Sequence, residues 1–255
     1  MKRNAVEALP EPFATALVEA LACLESDETV EAVFLGGSLA AGRVAPRSDL
    51  DLVVIKGEDV EVMERYARYV NDVQVQVIAG PPLQFDIWLE RDRPSGTVVR
   101  QLAEGQLLFD RNGLGARYRG QARKVVEKGL APMSRPQIRS RRFLLTELLD
   151  DVVDCAGCPA RARWLMHTNL AYVVETAFLW HQQWTPKGKR ALAEIGDLDP
   201  ELADLCDAYL GAVTLREQQA AFEALVARVL VPLGGELRVP WTRPPEPVMR
   251  DGGSV

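Results

Sequence analysis

The stretch GGSLAAGRVAPRSDLDLVVI, residues 36–55, decides the fold of the first part of this chain. It begins where the largely apolar run Val30–Leu35 ends, and it closes with a second such run, Leu50–Ile55. Runs of this length bounded by glycine turns predict two buried strands. Because strand side chains alternate between two faces, Asp49 and Asp51 are expected to point the same way.

The pair Asp49 and Asp51 predicts a site for Mg²⁺. Two carboxylates about 7 Å apart along one strand repel each other and favour a shared cation. Magnesium prefers oxygen ligands and is commonly held by one or two carboxylates together with substrate phosphates. A strand that carries Asp-x-Asp meets this requirement.

The glycine turn before these aspartates predicts a phosphate-binding loop. Glycines at residues 36 and 37 allow backbone N–H groups to converge on a phosphate. Ser38 adds a hydroxyl next to a predicted short helix, Leu39–Gly42, whose N-terminus favours anions. Arg43 and Arg47 in the following loop are either solvated charges or contacts to the same phosphates, and Ser48 is expected to brace the turn.

A third carboxylate is predicted on another strand, Phe85–Leu89. Alternation places Asp86 and Glu90, together with Trp88, on the face opposite Phe85, Ile87 and Leu89. An aspartate within an apolar strand is costly to bury without a partner. Since neighbouring strands lie about 4.8 Å apart, Asp86 is predicted to join Asp49 and Asp51 as a metal ligand.

The chain divides into a mixed first part and a helical second part. Helices are predicted at Glu11–Glu25 and Val60–Val70, and strands at Val73–Ile78 and Leu107–Phe109. Further helices are predicted at Leu114–Lys128, Pro136–Cys155, Ala160–Gln183, Gly188–Ile195, Pro200–Leu210 and Leu215–Leu230. The predicted fold class is α/β (α+β), with a small mixed β-sheet domain flanked by helices in residues 1–115 and an all-helical domain in residues 116–255.

Composition argues against several classes of function. The net charge of −6 disfavours a nucleic-acid polymer as the main partner. Four cysteines are too few for a disulfide framework in 255 residues, and two histidines disfavour a zinc hydrolase. No apolar run approaches the roughly 20 residues of a membrane span, so a cytoplasmic protein is expected.

These residues resemble a known family. Gly37-Ser38 followed by Asp49-x-Asp51, with the later Asp86, is similar to the polymerase-β-like nucleotidyltransferase superfamily. The sequence GQLLFD at residues 105–110 also looks like the closing strand of that domain. Within the superfamily, a short mixed domain followed by helices is most similar to the small-molecule (aminoglycoside- and lincosamide-type) nucleotidyltransferases.

The resemblance implies a function and a set of roles. Gly37 and Ser38 would bind the triphosphate of a nucleotide, with ATP as the expected donor. Asp49 and Asp51 would hold two Mg²⁺ ions, with Mn²⁺ as a substitute, and Asp86 would complete the metal site. The reaction would be in-line attack of an acceptor hydroxyl on the α-phosphorus, with pyrophosphate as the leaving group.

Several points stay open at the level of sequence. The base that takes the acceptor proton is either Asp86 or Glu90. Lys187 and Lys189 lie in a predicted loop between helices. They are either solvated or in contact with phosphate or substrate, since similar loops in relatives lie over the nucleotide. The acceptor is expected to be a small molecule bound with help from the helical domain of a monomer or homodimer. Alternatives are transfer to a protein or RNA, or a catalytically silent nucleotide-binding regulatory module.

Overall fold

The computed structural model describes residues 9–90, 96–155, 157–186, 188 and 190–238. The chain forms two compact units, residues 1–129 and 130–255. The first contains α1 (Phe13–Glu25), β1 (Val30–Leu35), α2 (Gly37–Ala40), β2 (Leu50–Lys56), β3 (Glu64–Val70), β4 (Val73–Gly80), α3 (Pro82–Glu90), α4 (Thr97–Glu104), β5 (Gln106–Asp110) and α5 (Leu114–Lys128). The second contains α6 (Arg135–Asp154), α7 (Pro159–Trp180), α8 (Arg190–Leu198), α9 (Pro200–Gly211) and α10 (Leu215–Leu233).

The first unit is built on a five-stranded mixed sheet with the strand order β3-β4-β2-β1-β5. Strands β2 and β4 are parallel, and the other neighbouring strands are antiparallel. The prediction of a small mixed sheet is therefore confirmed. So is the prediction of a strand at Leu107–Phe109. This strand, β5, lies at an edge of the sheet, because it pairs only with β1 among the described strands.

The two faces of this sheet have separate cores. Leu50, Leu52 and Val54 face α1 and pack against its buried apolar side chains. The side chains that alternate with them, Val53 and Ile55, face α3, α4 and α5. Because strand side chains alternate between the two faces, Asp51 lies on the same face as Val53 and Ile55, which these three helices cover.

The predicted helix Val60–Val70 is wrong, because residues 64–70 form the edge strand β3. This strand pairs with β4 in a hairpin in which Val70 lies opposite Val73. The two residues between them, Asn71 and Asp72, have φ angles of 48° and 62°. Positive φ at both central residues is the type I′ geometry that suits the twist of a hairpin. The turn fixes the segment as a strand although its apolar spacing also fits a helix.

The predicted strand Phe85–Leu89 is also wrong, because these residues lie within helix α3. The helix begins at Pro82, directly after Pro81, and proline is well tolerated in the first turn of a helix. Phe85, Trp88 and Leu89 follow helical spacing and pack into the core that lies between the sheet and the helices. That apolar stripe orients the helix on the sheet.

Helix α5 places the boundary between the units later than predicted. The contacts divide the chain after Gly129, whereas the sequence suggested residue 115. The reason is packing, because Tyr118 and Ala122 of α5 are fully buried in the core beside β1 and β2. A helix that follows the last strand therefore belongs to the sheet unit.

The second unit is helical, as predicted, and polar contacts define its helix ends. Capping boxes begin α6 at Ser134 and α10 at Thr214. The Arg142 guanidinium donates to the carbonyl oxygens at the end of α10, those of Gly234, Gly235 and Glu236, at 2.7–2.9 Å. In the described part of the chain, no helix combines the length and the apolar character that a membrane crossing requires.

Candidate active site

Asp49 and Asp51 lie where β2 begins, next to the glycine turn. The N–H of Gly36 donates to the Asp51 carbonyl oxygen at 2.8 Å, which holds the turn against the strand. Burial raises the pKa of the Asp51 carboxyl to about 6, the nearby charge of Asp49 adds to the rise, and Arg65 opposes it. The predicted pair of neighbouring carboxylates on one face is therefore present, and its members repel each other.

Gly37 lies directly against the Asp51 carboxylate. Its φ of +68° belongs to the left-handed region, which favours glycine. A Cβ at this position would overlap Asp51 Oδ2. The close approach brings the backbone of the turn and the carboxylate into one site, which only glycine permits.

Ser38 and Ser48 connect the two ends of the loop between β1 and β2. Their hydroxyl oxygens are 3.5 Å apart, and Ser48 Oγ accepts from the Ala45 N–H at 2.9 Å. The prediction that Ser48 braces the turn is confirmed. Arg43 and Arg47 lie exposed in this loop.

Gln76, which was not predicted from the sequence as a site residue, lies on β4 in register with Asp51. Its side-chain amide donates to Asp49 Oδ2. The position where a third carboxylate was expected is thus occupied by a neutral amide. A signal was available in VQVQVI at residues 73–78, because glutamines alternating with valines mark the polar face of a strand.

A cavity of about 370 Å³ opens beside Asp51 on the side of β4 and β3. Its polar lining comes from Asp51, Arg65, Gln76, Thr97 and Gln101. Helix α4 approaches the glycine turn so closely that a Cβ at residue 36 would lie 2.7 Å from Gln101 Cγ. Arg65, Thr97 and Gln101 lie far from Asp51 in sequence and only the fold brings them together.

Asp86 has a different role from the one predicted. It lies on α3, where the Tyr118 hydroxyl donates to Asp86 Oδ1 at 2.8 Å and lies 3.0 Å from the Pro82 carbonyl oxygen. Burial raises the pKa of Tyr118 to about 12, and the bond to Asp86 adds to the rise. Asp86 therefore ties α3 to α5, and its predicted place on a strand beside Asp49 and Asp51 is wrong.

Glu90 is the exposed last residue of α3, one helical turn after Asp86. Within the described residues it makes no hydrogen bond or ion pair. Lys187 and Lys189, the predicted nucleotide contacts of the helical part, lie outside the described residues.

The donor atoms at the start of β2 fit a divalent cation. No group of three or more His, Cys, Asp or Glu side chains able to hold a metal occurs among the described residues. The site offers two carboxylates that repel each other and, on Gln76, an amide oxygen. Two carboxylates with further oxygens from phosphate are a sufficient ligand set for magnesium.

Comparison with known proteins agrees with this geometry. Residues 17–107 match the family model described as a nucleotidyltransferase domain. This segment lies within the first unit and is similar to a nucleotidyltransferase domain. The matched segment of this domain contains the glycine turn, both aspartates, Gln76 and Gln101.

The chain is similar to the solved structure of a nucleotidyltransferase-like protein from Exiguobacterium sibiricum, with 16% identity and a TM-score of 0.45. The similarity covers 86% of this chain and 76% of that one. No curated protein matches the sequence.

Proposed function

We propose that this chain transfers a nucleoside monophosphate, AMP from ATP, to a hydroxyl group of a small molecule and releases pyrophosphate. One observation carries the proposal. The Asp51 carboxylate lies against the Gly37 backbone and close to the Asp49 carboxylate, inside the segment that matches the nucleotidyltransferase domain. This combination suits a nucleotide whose phosphates bridge between a cation and backbone amides.

Each residue of the loop has a role in binding the donor. The backbone at Gly37 and the Ser38 hydroxyl bind the β- and γ-phosphates, because the first amides of a helical turn lack intrahelical acceptors. Arg43 and Arg47 attract the triphosphate as exposed positive charges near the turn. Asp49 and Asp51 hold Mg²⁺ or Mn²⁺, and Gln76 keeps the Asp49 carboxylate in place. When bound, the metal neutralises the carboxylates and draws charge from the phosphate oxygens.

The transfer replaces one P–O bond by another. The acceptor oxygen forms a bond to the α-phosphorus while the bond to the bridging α–β oxygen breaks, and pyrophosphate leaves with the electron pair. The acceptor proton has to go to a base. Asp86 is engaged by Tyr118, so Glu90 is the candidate base of α3.

Two observations support a small molecule as the acceptor. The cavity beside Asp51 measures about 370 Å³, within the range of roughly 300–1,000 Å³ that is typical of small-molecule sites. The net charge of −6 disfavours a nucleic-acid partner.

Labelled nucleotide tests the proposed function. ATP carrying ³²P at the α-position is incubated with the protein, Mg²⁺ and a cell extract, and the label is sorted into small-molecule, protein and RNA fractions. We expect label in the small-molecule fraction and its loss in Asp49→Asn and Asp51→Asn. Glu61→Gln, which removes an exposed carboxylate outside the site, is the matched control and should transfer normally. Label in the protein or RNA fraction, or turnover that survives both aspartate changes, contradicts the proposal.

A further inference from the structure

The carboxylate pair at the start of β2 has two different sides. Strand β2 lies between β1 and β4 in the sheet. The β1 side carries Gly36, Gly37 and Ser38. The 370 Å³ cavity extends toward β4 and β3, and its wall at Gln101 reaches back to Gly36. The site is therefore asymmetric, with a phosphate-binding turn on one side and an open volume on the other.

The chemistry of the transfer gives each side a role. In an in-line displacement, the attacking oxygen approaches the phosphorus opposite to the leaving group. If the β- and γ-phosphates lie on the glycine turn, the leaving pyrophosphate lies on the β1 side. The acceptor then has to approach from the side of β4, where the cavity opens.

Arg65 gives this cavity a positive charge. It lies on β3 opposite Ile78, and Ile78 shares its face of β4 with Gln76, so Arg65 is on the same face as Asp51. It is exposed and lines the cavity. No described residue forms a hydrogen bond or ion pair with its guanidinium.

The rest of the polar lining is neutral apart from Asp51. Gln76 and Gln101 present side-chain amides, and Thr97 presents a hydroxyl. The Gln101 Oε1 atom is buried and has no hydrogen-bond partner among the described residues. The cavity thus combines one cation with neutral hydrogen-bonding groups that suit hydroxyls.

We propose that the cavity lined by Arg65, Gln76, Thr97 and Gln101 is the acceptor subsite, and that it selects a hydroxyl-bearing small molecule that also carries an anionic group. The anion, a phosphate or a carboxylate, binds the Arg65 guanidinium, which matches the geometry of both. The amides and the hydroxyl bind the remaining polar groups of the acceptor. This inference rests on the proposed function, because it assumes that the nucleotide occupies the other side of Asp51.

The strand that carries Arg65 also provides a matched control. Arg68 lies three residues further along β3, so its side chain leaves the opposite face. Its Nη1 lies 3.6 Å from Cys23 Sγ on α1. Arg68→Ala removes the same charge from the same strand without changing the cavity.

Binding measurements with paired probes test the inference. The protein is first saturated with Mg²⁺ and an ATP analogue whose α–β bridging oxygen is replaced by a methylene group. Calorimetric titrations then compare glycerol with glycerol 3-phosphate, glucose with glucose 6-phosphate, and glucose with glucuronate. The phosphate and carboxylate pairs distinguish the two sources of the anionic charge.

We expect the charged member to bind more tightly than its neutral partner in at least one pair. Arg65→Ala should weaken that binding by about tenfold to hundredfold, the range for a lost charge-assisted hydrogen bond. Arg65→Lys should restore part of it, and Arg68→Ala should change nothing. In all variants the affinity for the ATP analogue should stay within about twofold of wild type.

Three results would overturn the inference. In the first, the charged and neutral members of every pair bind equally. In the second, Arg65→Ala weakens binding of the ATP analogue, which would assign Arg65 to the nucleotide site. In the third, Arg68→Ala and Arg65→Ala have equal effects. If the wild-type protein does not bind the analogue at all, the proposed function itself fails, and that result is distinct from the other three.

Discussion

At the scale of residues, the site depends on how the charges of Asp49 and Asp51 are balanced. Asp51 is partly buried, with the glycine turn on one side and Gln76 on the other. Gln76 donates a hydrogen bond to Asp49 but brings no positive charge. Arg65 is the cation that lowers the pKa of Asp51, and it is exposed. The carboxylates therefore carry excess negative charge that a bound cation would relieve.

The raised pKa of Asp51 predicts that Asp51→Asn increases the stability of the folded chain in a pH-dependent way. The pKa is about 6 in the folded chain against 3.8 for an unperturbed aspartate. Protonation thus favours the folded state, and this contribution is complete below pH 3.8 and is lost as the pH rises through 6. Asparagine is neutral at every pH, so the variant does not lose this stabilising contribution as the pH rises. Without metal at pH 7.5, we expect the variant to unfold about 2–4 °C above wild type, which corresponds to about 1 kcal/mol.

Thermal unfolding followed by circular dichroism in EDTA checks this prediction. The difference between Asp51→Asn and wild type should shrink at pH 5, where the wild-type carboxyl is largely protonated. A variant less stable than wild type at pH 7.5, or a difference that is equal at both pH values, would contradict the electrostatic account of Asp51.

Gln76→Glu is predicted to couple stability more strongly to metal. The substitution keeps the shape of the side chain and adds a third negative charge beside Asp49 and Asp51. In EDTA at pH 7.5, like-charge repulsion should lower the unfolding temperature by several degrees. Added Mn²⁺ should raise it by more than it raises that of wild type. Gln121→Glu, at an exposed position of α5, is the control, and equal shifts in both variants would refute the role of Gln76.

Asp86→Asn is predicted to leave nucleotide transfer within about threefold of wild type. Asparagine can still accept the hydrogen bond from the Tyr118 hydroxyl, so the tie between α3 and α5 is kept. Tyr118→Phe breaks that bond and should lower the free energy of unfolding by about 1 kcal/mol without abolishing transfer. Loss of transfer in Asp86→Asn with unchanged folding would contradict this prediction and show that Asp86 acts in the active site.

At the scale of elements, local sequence patterns were informative only where the decisive contacts are also local. The glycine turn and β2 could be predicted because GGS and DLDLVVI determine their own geometry. Strand β3 could not, because its apolar spacing fits a helix and the deciding feature is the hairpin turn at Asn71 and Asp72. Helix α3 was mistaken for a strand because five residues, Phe85–Leu89, are too few to distinguish a period of 2 from one of 3.6.

The same limit applies to the members of the site. Asp49, Asp51 and Gly37 lie close together in the chain, so their spacing indicates their relationship. Gln76 and Arg65 reach the site through strand register, which one sequence does not specify. The error at Asp86 followed from the error at α3, since a residue assigned to the wrong element is also assigned to the wrong neighbours.

The glycine turn itself provides a prediction with a close internal control. Gly37 and Gly42 have nearly equal φ angles, +68° and +69°. A Cβ at Gly42 would meet nothing within 4 Å, whereas one at Gly37 would overlap Asp51 Oδ2. Gly42→Ala should therefore lower the free energy of unfolding only by the backbone strain, about 1 kcal/mol, and should keep activity. Gly37→Ala should in addition displace Asp51 and lower transfer at least tenfold, and equal activities of the two variants would contradict the close approach.

At the scale of the whole molecule, the order of a mixed sheet unit and a helical unit could be predicted from sequence. The strand periods stop after β5 and helical periods follow, so the change of architecture is visible in the chain. The position of the boundary was not visible, because α5 has the pattern of a helix but packs on the sheet. The ends of the other predicted helices lie within about three residues of the observed ends, whereas α4 was not predicted.

Metal-dependent binding of the nucleotide decides whether Asp49, Asp51 and Gly37 form one site. The methylene-bridged ATP analogue is titrated calorimetrically into wild type, Asp49→Asn and Asp51→Asn, each with Mg²⁺ and with EDTA. If the two carboxylates and the Gly37 backbone form one metal–nucleotide site, the wild-type protein binds the analogue with Mg²⁺ and loses at least tenfold in affinity in EDTA. Both variants then bind weakly under either condition. Equal affinity of the wild type with Mg²⁺ and with EDTA, or binding that survives in both variants, would contradict the account.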